Sequence, residues 1–197
     1  MKKGYFIALE GPDGVGKSTI IEGLKKEFPE AIFIHEPGTT DFGKEIRNIL
    51  LHKDFNLTIE TQILLFISSF VETSQKIIIP ALKNNKLVIA DRWYMSTMIY
   101  QGYVNKNKIV NELINKSELS YQIMRSHTFI LMANKDVIEE RRKNRNEKLD
   151  NYEKNVELMK KVYSYYKNMP NDKIHVNGTI EENIKKVKRK INKLINY

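Results

Sequence analysis

The chain has 197 residues, 41% of them hydrophobic, and a formal charge of +9 at neutral pH. That length suits one domain with a sizeable core, and the absence of cysteine excludes disulfides and thiolate metal sites. The start, Met1-Lys2-Lys3-Gly4, has no secretory h-region, and no apolar run approaches the roughly 20 residues of a membrane helix, so a cytoplasmic protein without membrane partners is expected.

In chain order, residues 5–9 (YFIAL) read as a short apolar strand. Residues 17–27 follow as a helix with Ile20, Ile21 and Leu24 on one side. A second strand at 31–35 is stopped by Pro37-Gly38, and 42–52 is helical. Residues 59–83 form a long apolar helix, kinked near Pro80. A buried strand at 87–90 (LVIA) precedes Asp91-Arg92, and helices are expected over 95–100 and 108–115. The remaining elements are a strand at 128–132, helices at 135–144 and 155–167, a strand at 173–176 and a closing helix at 180–195. In that last helix the basic run 185–190 interleaves with Ile184, Val187 and Ile191, which marks a solvated cationic face rather than a nucleic-acid site.

Apolar strands alternating with helices predict a parallel sheet covered on both faces, with ligands beyond the carboxyl ends of its strands. Charged residues fall where that rule wants them: Glu10, His35-Glu36, Asp91-Arg92 and Asn134 each end or follow a strand. The histidines His35, His52, His127 and His175 show no metal-ligand spacing and are read as structural.

Gly11-Pro12-Asp13-Gly14-Val15-Gly16-Lys17-Ser18-Thr19 fits G-x-x-x-x-G-K-[ST] between a strand and a helix. Its glycines let backbone N–H groups cradle phosphates at a helix N-terminus. Lys17 would reach the β/γ-phosphates of a purine nucleoside triphosphate, and Ser18 would ligate Mg²⁺. The fold class that follows is a three-layer α/β/α P-loop NTPase domain with a five-stranded parallel sheet. It covers residues 1–197, with a short lid near 141–153.

The loop alone does not separate kinases from GTPases. Asp91 lacks the D-x-x-G glycine, and Asn134-Lys135-Asp136 lacks the spacing of N-K-x-D, so a GTPase is disfavoured. Phosphoryl transfer needs cations around the transferring group, and Arg47, Arg92 and the cluster Arg141, Arg142 and Arg145 are available.

Three strings together resemble the thymidylate kinases: the phosphate loop, Glu36-Pro37-Gly38 with Gly43-Lys44-Glu45-Ile46-Arg47, and Asp91-Arg92 through Ser96-Thr97 to Tyr100-Gln101-Gly102. The resemblance implies an ATP- and Mg²⁺-dependent dTMP kinase, acting on a small nucleotide and dimeric. It implies that Asp13 accepts from the sugar 3′-hydroxyl and that Arg47 and Arg92 hold the acceptor phosphate in a pocket that includes Glu36 and Pro37. Phe66 would stack on the base, with Ser96, Tyr100 and Gln101 lining its pocket. Asp91 would help place Mg²⁺, and Tyr152 would crowd the sugar 2′ position. The basic residue that eukaryotic-type members keep after the loop aspartate is Gly14 here, so the catalytic arginine would come from the lid, with Arg145 favoured and Arg141 or Arg142 as alternatives.

Phe70 stands where the family carries a base-reading arginine, one helical turn beyond Phe66. Loss of that donor predicts relaxed base choice, extending to dUMP or 5-substituted dUMP, unless Gln101 or Gln75 replaces it. Two other readings remain at this point. One is a deoxynucleoside kinase using Glu36 as base; the other is a non-catalytic P-loop module that binds nucleic acid.

Overall fold

The computed structural model describes residues 4–121, 126–144, 152 and 154–195, the side chains of 118–121 excepted. Within them, strands β1 (Tyr5–Glu10), β2 (Ile32–His35), β3 (Leu87–Asp91), β4 (His127–Met132) and β5 (Asp172–His175) form one sheet in the order β2-β3-β1-β4-β5. Every pairing is parallel, as the near-continuous apolar strands require. The register sets His35 beside Asp91 and Leu9 beside Asp91, so three strands end at one level.

Alternating side chains face the two sides of the sheet. Phe6, Ala8, Val88 and Ala90 face a layer holding α2 (Asp41–Leu51), α3 (Ile59–Thr73) and α6 (Ile109–Tyr121). Ile7, Leu9, Ile89 and Leu131 face α1 (Lys17–Glu27) and α9 (Ile180–Ile195). In α9, Val187 and Ile191 are fully buried while Lys185, Lys186, Arg189 and Lys190 are exposed, so the basic run is a solvated helix face.

The apolar stretch Ile59–Lys83 corrects one sequence expectation: by length and composition alone it would suffice to cross a membrane. Here Ile63, Phe66, Ile67, Phe70, Ile78 and Ala81 pack it onto the sheet as a core element. The expected kink is a π-helical turn at Ser74–Ile78 that leads into α4 (Ile79–Lys83). Pro80 cannot donate to the carbonyl four residues back, and the wider turn accommodates that gap.

The helix expected over 95–100 is likewise interrupted. A four-residue turn, α5 (Tyr94–Thr97), passes into a π-helical segment at Met98–Tyr103 that carries Tyr100 and Gln101. Between β4 and β5 lie α7 (Lys135–Lys143) and α8 (Val156–Asn168). Of the lid expected over 141–153, only 141–144 and 152 belong to the described residues; Arg145 lies outside them.

Candidate active site

The carboxyl end of β1 opens into the glycine loop. Gly11, Gly14 and Gly16 take φ values of 146°, 82° and 96°, which other residues rarely adopt. A Cβ on Gly11 would come within 2.4 Å of the Leu131 carbonyl oxygen, so the loop lies directly against β4. Gly16 caps α1 in a left-handed conformation, which aims the helix's free N–H groups into the loop. Lys17 folds back over it, its Nζ donating to the carbonyls of Gly11 (2.9 Å) and Pro12 (3.2 Å). Burial, reinforced by the Arg92 charge, lowers its pKa to about 8. An anion in the loop would push that value back up.

Asp91 ends β3 next to His35, whose Nδ1 lies 3.2 Å from Asp91 Oδ2. Burial works to raise the Asp91 pKa, but the His35 hydrogen bond and the Lys17 charge prevail and hold it low. Its Oδ1 is buried with no hydrogen-bond partner. That orphaned carboxylate oxygen and the exposed Ser18 hydroxyl line one cleft. They are hard oxygen donors that fit Mg²⁺, an ion that takes few protein ligands and completes its shell with water and phosphate. Among the described residues no three His, Asp or Glu side chains gather into a protein-only cage.

Arg92 is the hub of the site. Its backbone has φ 68°, a strained value for a non-glycine residue. Its guanidinium donates through Nη1 to Gly11 O (3.2 Å), Ser96 Oγ (3.0 Å) and Tyr166 OH (3.5 Å), and pairs through Nη2 with Asp13. Tyr100 donates its hydroxyl to the other Asp13 oxygen. Burial alone would raise the Asp13 pKa, yet the Arg92 and Lys17 charges carry it below the ordinary value. Burial would discharge Arg92, but Asp13 outweighs it and keeps the guanidinium charged.

Beneath this pair, the fully buried Glu10 accepts from the backbone N–H of Trp93 (2.8 Å) and Ser96 (3.2 Å). It also accepts from Ser96 Oγ (2.7 Å) and Tyr166 OH (2.8 Å). So many satisfied contacts over-determine the backbone around Arg92 and hold its strained conformation.

A cleft of about 640 Å³ joins these groups to the expected acceptor pocket. Arg47 enters it from α2, its Nη1 donating to Pro37 O (3.2 Å) after the cis Glu36–Pro37 bond. Phe66 and Phe70 line it from α3 with rings stacked at 6.4 Å between centroids. Phe70 is also 1% exposed and lies 4.8 Å from the Trp93 ring, so the residue in the arginine position is a core side chain. Ser96, Tyr100, Gln101 and Tyr152 complete this part of the lining.

Glu36 does not sit as a free base. Both its oxygens accept hydroxyl hydrogen bonds from α3, from Ser69 (2.6 Å) and Thr73 (2.6 Å), and burial raises its pKa. Arg141 is tied to backbone: it donates to the carbonyls of Val15 (2.7 Å), Val176 (2.9 Å) and Gly178 (3.4 Å). It therefore fixes α7 to the phosphate loop, which disfavours it as a mobile arginine finger. The stem of Arg142 covers Gly14, its Cγ 2.6 Å from where a Cβ would stand.

Sequence reasoning missed several members of the site. His35 was read as structural, yet it orients Asp91 and lines the cleft. Its position at a strand's carboxyl end, level with Asp91, was the available signal. Glu10 was visible by the same rule, whereas Tyr166 carries no local signal because folding alone brings α8 to this place.

A glycine cradle after the first strand, a lysine over it, and two arginines in the same cleft define a phosphate-loop nucleotide-binding protein. The family profile described as Thymidylate kinase matches residues 9–191. A thymidylate kinase of Caldicellulosiruptor saccharolyticus is 31% identical over 98% of this chain and 98% of its own. One from Kosmotoga olearia is 49% identical over 102 residues, 50% of this chain and 49% of that protein, so there the match spans about half the relative's length.

Among solved structures, thymidylate kinase from Ehrlichia chaffeensis superposes with TM-score 0.66 at 26% identity, covering 98% of this chain and 99% of that one. The Candida albicans enzyme, at 24% identity and TM-score 0.73 over 98% and 92% of the two chains, supports the fold. The chain belongs to the thymidylate kinase family.

Proposed function

We propose that this protein transfers the γ-phosphoryl group of ATP to dTMP, giving ADP and dTDP. One observation carries the reading: Lys17, Arg47, Arg92 and Phe66 line a single cleft. An acceptor that is already phosphorylated needs cations rather than a base, and this cleft supplies cations while the Glu36 oxygens are engaged.

In this reading the loop N–H groups and Lys17 hold the donor phosphates, while Arg47 and Arg92 hold the acceptor phosphate in line with them. The phosphate oxygen of dTMP attacks the γ-phosphorus, the bond to the β-bridging oxygen breaks, and ADP leaves with that electron pair. Ser18 and Asp91 would hold Mg²⁺, which neutralises charge on the donor phosphates when bound. Arg92 is fixed before substrate arrives, so little reorganisation accompanies charge migration.

Asp13 is assigned to the sugar 3′-hydroxyl, Tyr152 to exclusion of a 2′-hydroxyl, and Phe66 to stacking on the base. The cationic finger is assigned to the lid, to Arg142 or Arg145, because Arg141 is held by three carbonyls. Phe70 brings no donor to the base, so the reading includes acceptance of dUMP and 5-substituted dUMP. It also includes a cytoplasmic homodimer, which sedimentation of the purified protein tests.

The test of activity is ADP release with dTMP, dUMP, dCMP, dGMP and thymidine as acceptors. Turnover of dTMP with none of thymidine is expected. Turnover of thymidine without dTMP would overturn the reading in favour of a nucleoside kinase.

A further inference from the structure

We infer that Gln62 is a specificity-determining positioning residue, which fixes the orientation of the Gln101 amide so that the pocket presents a hydrogen-bond acceptor to the base. The inference rests on the proposed dTMP kinase reading and deepens it.

The direction of each hydrogen bond follows from one unambiguous group. The Leu57 backbone carbonyl can only accept, and Gln62 Nε2 lies 3.1 Å from it. The Gln62 amide is thereby oriented with Oε1 turned away from Leu57, toward Tyr152 and Gln101. Tyr152 OH lies 3.0 Å from that oxygen and must donate to it. With its one hydrogen committed, the Tyr152 oxygen is left as an acceptor.

Gln101 approaches both groups with the same end of its amide. Its terminal atom is 2.9 Å from Tyr152 OH and 3.4 Å from Gln62 Oε1. Two acceptors face it, so that atom is the nitrogen. The flipped amide would set two carbonyl oxygens against each other. The Gln101 oxygen is then the remaining end, and it is buried with no partner.

A buried orphan acceptor in a residue that is 1% exposed and lines the cleft with Phe66 and Tyr152 points to a ligand that supplies the donor. Phe70, the neighbouring wall, contributes no polar group to the base. The base edge that suits this arrangement carries a ring N–H between two carbonyls, as in thymine or uracil. Cytosine offers a bare ring nitrogen at that place and would leave two acceptors facing one another. The relay from Leu57 through Gln62 and Tyr152 thus makes Gln101 a reader of the imide and rejects cytosine.

The experiment measures kcat/KM for dTMP and for dCMP in the full-length protein and in Gln62→Leu, Tyr152→Phe and the double variant. Neither substitution adds a charge or enlarges a side chain, and thermal melting confirms that each variant folds. The dTMP-to-dCMP ratio is expected to fall about tenfold in Gln62→Leu, because the Gln101 amide is then free to turn. A smaller fall is expected in Tyr152→Phe, with no further loss in the double variant since both residues act through one relay. The KM for ATP should not move.

An unchanged ratio in Gln62→Leu, or additive losses in the double variant, would overturn the relay while leaving the dTMP kinase reading intact. Failure of the unaltered protein to turn over dTMP would overturn that reading itself.

Discussion

Asp13 of the phosphate loop and Arg92 beyond β3 form an ion pair across 79 residues of chain, with side chains only 18% and 17% exposed. The pair joins the phosphate loop to the arginine proposed to hold the acceptor phosphate. Neither partner is free to relax alone: Asp13 also accepts from Tyr100, and Arg92 also donates to Gly11 and Ser96. The two halves of the cleft are therefore set in one rigid arrangement before any substrate enters.

Arg92→Ala should reduce kcat/KM for dTMP by about 10²–10³-fold, the usual cost of removing a preorganised donor to developing charge. The Kd for ATP, measured by calorimetry without acceptor, should change little, because the loop and Lys17 remain. An unchanged kcat would remove Arg92 from the acceptor site.

Phe70→Ala should destabilise the protein by about 3–5 kcal/mol in chemical denaturation, as for other buried aromatic truncations. The ring touches both Trp93 and Phe66 and is nearly inaccessible. A loss below about 1 kcal/mol would mean that this ring is not part of the core.

Tyr166→Phe removes one hydroxyl that meets Glu10, Ser96 and Arg92. The expected stability loss is about 1.5–3 kcal/mol, the range of a hydrogen bond to a buried charged group. If Tyr166 positions Arg92, kcat with dTMP should fall while the KM for ATP holds. A stability change with unaltered kinetics would make the contact purely structural.

Glu36→Gln tests the buried carboxylate through pH. The folded pKa of Glu36 is raised above 4.5, first by burial. The native state therefore binds more protons than the unfolded chain above that pH. The Glu36 contribution to stability is full below pH 4.5 and is lost as pH rises through the folded pKa. Denaturation midpoints of Glu36→Gln relative to the unaltered protein should thus improve as pH rises above 4.5 and level off above the folded pKa. A flat difference would show that Glu36 titrates normally.

Sequence alone determined the elements whose cause is local. The phosphate loop was legible because its glycines, lysine and serine act through backbone geometry set within nine residues. The five parallel strands were legible because burial on both faces leaves continuous apolar runs. Asp91, Arg92 and Glu36 stood out as charged residues at strand ends.

What only the tertiary structure decided were relationships between distant segments. That Phe70 belongs to the core, that Arg141 is fixed by the carbonyls of Val15 and Val176, and that Tyr166 reaches Glu10 depend on how helices settle on the sheet. A helix's apolar period says which face is buried, but not which side chain on that face meets a partner from another element. Hydrogen-bond direction in the base pocket is more remote still, because it is set by a carbonyl at Leu57 acting through Gln62 and Tyr152.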